Sequence, residues 1–173
     1  MIKLIFATVF LVIGFEAQAA GLGDIFGANI FGALIGRSGS LGHEASVDDA
    51  LAKVSAQMNK KMPIAVDQDT RLDRVSAEPG QHFTYHYTLV SLRSSDVDQA
   101  NFDTLVKPQL KTRLCESVEM KNFLKNGVTI SYLYRGSDGH LIGGAEFSPS
   151  DCGYKTRLSA FITGPTRRLA EHA

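Results

Sequence analysis

The chain has 173 residues, and its 18 lysines and arginines balance 18 aspartates and glutamates. That length allows one domain with a modest core. A net charge of zero excludes a general nucleic-acid binder, which needs a basic surface, and two cysteines are too few for a disulfide-built scaffold.

Met1 to Ala19 reads as an export signal. Lys3 supplies the positive start, Leu4 to Phe15 the apolar run, and Ala17-Gln18-Ala19 the small-x-small cleavage pattern. The apolar run is about a dozen residues, against about 20 needed to span a bilayer. No cysteine lies near the cut, which argues against a lipid anchor there. The mature chain is expected to start near Ala20, in the periplasm or the medium, with its charges still balanced.

Residues 20–45 form a glycine-rich apolar arm. Glycines at 21, 23, 27, 32 and 36 are interspersed with large apolar residues. On a helix, Leu22, Phe26, Ile30 and Leu34 share a stripe. Gly23 to Gly27 and Gly32 to Gly36 match a small-xxx-small spacing, though so many glycines weaken a free helix. Two readings stay open, a tether and a sticky segment, the latter including membrane contact. The candidate interaction residues are Leu22, Phe26, Ile30, Phe31 and Leu34.

The folded domain is expected over residues 46–152. Ser46 to Asp49 resembles a capping box, and Val47, Ala50, Leu51, Val54 and Met58 recur at helical spacing until Pro63. Thr70 to Ala77 and His82 to Leu92 read as a hairpin around Glu78-Pro-Gly80. In the second run Phe83, Tyr85, Tyr87 and Leu89 share one face. A helical block follows, capped by Ser94 or Ser95, with Pro108 kinking or dividing it. A short helix is expected from Ser117, ending at Asn126-Gly127. Val128 to Arg135 and His140 to Ser148 form a closing hairpin around Gly136-Ser-Asp-Gly139, and Gly143-Gly144 marks a bulge or close backbone approach. Residues 153–173 form a basic extension, with Lys155, Arg157, Arg167 and Arg168 against Glu171. The predicted class is α+β: an antiparallel sheet of about four strands with two to three helices on one face.

Cys115 and Cys152 are expected to pair in an oxidising compartment, stabilising the domain by roughly 4 kcal/mol. Other chemistry is sparse. His82 and His86 lie about 13 Å apart on a strand, too far to share a zinc, although His140 could join one of them across the sheet. Asp67, Asp69 and Asp73 lack the glycine and closing glutamate of a calcium loop. Gly136 to Gly139 lacks the nucleophile-elbow pattern. The four tyrosines 85, 87, 132 and 134 fit core packing better than a binding surface. The pattern calls for no catalytic residue, cofactor or metal, and it does not set an oligomeric state.

The stretch Met62 to Asp73, the strand Phe83 to Leu89, Cys115, the strand Gly127 to Tyr132 and the closing Ser148-Pro-Ser-Asp-Cys152 resemble a group of small exported bacterial proteins. Some of that group are described as quorum-sensing-regulated virulence factors. The resemblance spans roughly residues 46 to 152 and implies a compact α+β domain outside the cytoplasm. With the residue reading, it leads to an exported, non-enzymatic interaction protein that binds a protein or envelope component. The alternatives are a small ligand- or metal-binding protein or hydrolase using the sheet histidines, and a membrane-active arm.

Overall fold

The computed structural model describes residues 31–33 and 46–155. Helix α1 (Val47–Asn59) starts where the capping box places it. Ser46 Oγ accepts from the Asp49 N–H at 3.1 Å, and the Asp49 carboxylate accepts from the Ser46 N–H at 3.2 Å. Ala50, Leu51, Val54, Ser55 and Met58 are buried against the sheet. The Asp48 carboxylate accepts from the Gly80 and Gln81 N–H groups at 3.2 and 2.7 Å, fastening the helix start to the following hairpin turn.

The sheet runs β1 (Ile64–Ala65), β2 (Thr70–Glu78), β3 (His82–Leu89), β4 (Thr129–Gly136) and β5 (Leu141–Phe147), and its spatial order is the sequence order. Strand β1 pairs only with Arg71 and Leu72 of β2. Beyond it Asn59 takes over the edge. Its Oδ1 accepts from the Val75 N–H at 2.9 Å and its Nδ2 donates to the Val75 carbonyl at 2.8 Å. The amide side chain mimics a strand where none is present, which satisfies backbone groups that burial would otherwise penalise.

The α+β expectation holds, with helices on one side of a mostly antiparallel sheet. Two details differ from a four-stranded antiparallel arrangement. The short β1 adds a fifth strand, and β3 pairs with β4 in parallel, Tyr85 opposite Tyr132 and Tyr87 opposite Tyr134. Side-chain alternation is the same for both strand directions, so periodicity cannot set the sense of a pair. The connection can: a parallel pair needs a long crossover, and the helical block after β3 supplies one.

That block holds a short turn at Ser94–Asp96, then α2 (Gln99–Asn101), a π-helical turn at Phe102–Val106 and α3 (Lys107–Glu116). Asp98 caps α2, not Ser94 or Ser95. Pro108 stands in the first turn of α3, directly after the π-helical turn, so the helical stretch from Gln99 to Glu116 changes its bonding pattern just before the proline and does not end there. Helix α4 (Lys121–Lys125) begins later than expected from Ser117, because Ser117 to Met120 is spent on a turn in which Ser117 Oγ accepts from the Met120 N–H at 3.3 Å.

Cys115 and Cys152 form a disulfide across a sequence separation of 37, with Cα atoms 5.1 Å apart. It ties the end of α3 to the turn at Pro149–Cys152 that follows β5. The core lies between the sheet and the helices. Tyr85, Tyr87 and Tyr132 are buried in it and Tyr134 packs against it, with Tyr85–Tyr132 rings stacked at 5.6 Å and Tyr87–Tyr134 at 5.0 Å. Burial raises the pKa of all four phenols, so they act as packing groups.

Candidate functional site

One face of the sheet carries the helices; the other presents mostly polar side chains, with Leu133 among them. The strand register aligns them in cross-strand rows. Arg71, Thr88 and Arg135 form one row, Arg74, His86 and Leu133 the next, then Ser76, Thr84 and Ser131, then Glu78 and His82. Glu146 of β5 stands opposite Ser131. The three arginines gather toward the carboxyl ends of β3 and β4, and the glutamates toward their amino ends.

Within this face the groups are paired. The Asp73 carboxylate accepts from Arg71 Nε and from Thr88 Oγ1. Glu78 accepts from Ser76 Oγ at 2.7 Å and from Thr84 Oγ1 at 3.1 Å. His86 Nε2 lies 2.8 Å from Ser76 Oγ. Burial lowers the His86 pKa first, and the nearby Arg74 lowers it further, outweighing Glu78. Ser131 Oγ donates to Glu146 at 3.0 Å, and His82 Nδ1 lies 3.8 Å from the same carboxylate.

Ser76 beside His86 has the outline of a nucleophile and base, but the proton inventory reads otherwise. An ionised carboxylate only accepts, so the single hydroxyl proton of Ser76 is given to Glu78. His86 must then donate through Nε2 to the serine oxygen. A ring nitrogen that already carries the proton is not a base toward that serine. The trio clamps the sheet surface rather than activating a nucleophile.

The sequence-nominated histidines do not converge. His82 and His86 lie four residues apart on β3, about 13 Å. His140 is exposed in the β4–β5 turn, where its N–H donates to Asp138. Among the described residues no group of three histidine, cysteine or carboxylate side chains could hold a metal. The acidic run is turn chemistry: Asp67 Oδ1 accepts from the Asp69 and Thr70 N–H groups at 2.8 and 2.7 Å. A shallow depression of about 290 Å³ on α3 is lined by Pro108, Gln109, Thr112 and Arg113, a set without an acid–base pair.

Of the nominated arm residues, Leu22, Phe26, Ile30 and Leu34 lie outside the described residues. Phe31 lies within them. It is fully buried, stacked on Phe123 of α4 with centroids 4.4 Å apart and planes 9° apart. The arginine and glutamate arrangement of the open face escaped the sequence reading, because it follows from the parallel register of β3 and β4.

Residues 46–142, more than half of the chain, match the family described as Domain of unknown function (DUF8479). No curated protein matches the chain in sequence. Among solved structures, a candidate secreted protein from Pseudomonas aeruginosa is similar with a TM-score of 0.49 and 22% identity, over 62% of this chain and 98% of that one. The type II secretion system pilotin EpsS of Vibrio vulnificus gives 0.45 and 16% identity, over 61% of this chain and 90% of its own. The type II secretion system pilotin AspS of Vibrio cholerae gives 0.43 and 13% identity, over 59% and 88%.

Proposed function

The chain belongs to the family described as Domain of unknown function (DUF8479), and from that premise we propose that it is an exported protein that works by binding, with a protein or another envelope component as its partner. The observation that carries this reading is the open face of the sheet. It is polar, with three arginines and Asp73 toward one end and Glu78 and Glu146 toward the other, and its serine–histidine contact is wired as a clamp. Such a face offers charge complementarity over an area, which sets partner choice and encounter rate, rather than a pocket for chemistry. Arg74 and Arg135 are exposed on it.

Export rests on two independent features. Met1 to Ala19 has the layout of a cleaved signal. The Cys115–Cys152 bond suits an oxidising compartment, where such bonds persist. Among the described residues no helix is long and apolar enough to cross a membrane.

Cell fractionation, followed by affinity capture with the mature protein, tests both parts. The chain should be recovered outside the cytoplasm, starting near Ala20. Envelope material retained by the wild type should be lost with the Arg74→Glu/Arg135→Glu variant. Equal retention by that variant, with its fold confirmed by circular dichroism, would overturn the open-face reading. A cytoplasmic, uncleaved chain would overturn export.

A further inference from the structure

The family match begins at residue 46, yet the core contains Phe31. The ring enters from a separate piece of chain, joined to α1 through residues 34–45. It covers Phe123, which in turn lies 5.5 Å from Phe83. Residues 31–33 are helical. This turn sits so low on α4 that a Cβ on Gly32 would stand 3.1 Å from Asn122 Nδ2. The socket therefore takes an aromatic ring followed by a residue set close against α4, where a side chain would need Asn122 to give by a few tenths of an ångström.

The arm holds that combination twice. Residues 25–33 read Ile-Phe-Gly-Ala-Asn-Ile-Phe-Gly-Ala, two identical tetrads separated by Asn29. The described turn, Phe31-Gly32-Ala33, comes from the second tetrad. Phe26 and Phe31 are five residues apart, which on one α-helix is about 7.5 Å of rise and about 140° of rotation. A single helix cannot offer both rings to one socket at once.

We propose that the Phe123 socket is a recognition site for the Ile-Phe-Gly-Ala tetrad, filled by the chain's own arm, with the two tetrads as interchangeable occupants. The arm is then a tethered ligand of the domain rather than a free tether or a membrane segment. The inference is independent of the open-face reading, since it concerns the opposite side of the sheet.

The test uses the full mature chain carrying Phe26→Ala/Phe31→Ala, which leaves the socket without its ring. A fluorescein-labelled peptide of residues 20–36 is titrated in and followed by anisotropy. The native peptide should bind saturably, and the peptide with Phe31→Ala alone should bind within about tenfold of it. The doubly substituted peptide should bind about a hundredfold more weakly, the scale of a lost buried phenylalanine. The wild-type chain should take up little labelled peptide, because its own arm competes. Equal binding of native and doubly substituted peptides, or no binding of the native one, overturns the site. A Phe31→Ala peptide no better than the double one overturns interchangeability.

If the doubly substituted chain does not fold, the wild type with a protease site inserted between residues 36 and 42 replaces it. After cutting, the arm should co-elute with the domain on gel filtration and be displaced by excess free peptide. Immediate release, or no exchange, overturns the proposal.

Discussion

Single residues carry two of the clearest consequences. The folded state resists protonating His86, so its pKa lies below the ordinary 6.5 through burial and then Arg74. The unfolded chain therefore binds more protons in the window between the lowered native value and 6.5, and stability falls as pH drops through it, levelling off beneath. His86→Gln should flatten this part of the profile, measured as urea midpoints between about pH 7.5 and about pH 5. An unchanged profile would mean that His86 is not the titrating group. Gly143 is held by a different constraint. A Cβ there would stand 2.6 Å from Phe102 Cδ1, an aromatic ring seated in the core. Gly143→Val should cost about 1–3 kcal/mol by overpacking, read from the denaturation midpoint. The Gly143-Gly144 pair signalled a bulge or a close approach: Phe102 lies on Gly143, and the register shift falls just before the pair, at Ile142 between Leu141 and Gly143. The identity of Phe102 was not legible, because nothing local links positions so far apart.

At the scale of elements, local chemistry and the two hairpins were readable, and the parallel β3–β4 pair was not. The capping box at Ser46, the stop near Pro63 and the Gly139 turn with φ 78° follow from residues a few positions apart. The parallel union of β3 and β4 depends on where the helical crossover returns the chain, which alternation does not encode. The disulfide belongs to this scale, since it locks α3 to the turn after β5. Replacing both cysteines by serine should lower stability by about 2–4 kcal/mol, with the larger unfolded-state freedom as the main cause. Guanidinium denaturation of the two forms measures the difference. No difference would mean that α3 holds its place without the bond.

At the scale of the molecule, the sheet divides the labour. One face is spent on the core and covered by helices, and the other is left mostly polar, with Arg71, Arg74 and Arg135 beside Asp73 at one end and Glu78 and Glu146 at the other. The α+β class was legible because the helical and alternating segments are long and distinct. The candidate surface was not, because its charges come from three strands whose register only the fold sets. The arm gave a mixed signal: its apolar residues fitted a sticky segment, with membrane contact among its forms, while its glycines fitted a tether. Phe31 against Phe123 supplies the contact.

Site-specific photo-crosslinking in the native cell tests the binding account most directly. A photoreactive residue at position 74, on the open face, is compared with one at position 53, exposed on α1. The account predicts a discrete covalent adduct from position 74 to an envelope component, and none from position 53. No adduct from position 74, or the same adducts from both positions, would contradict it.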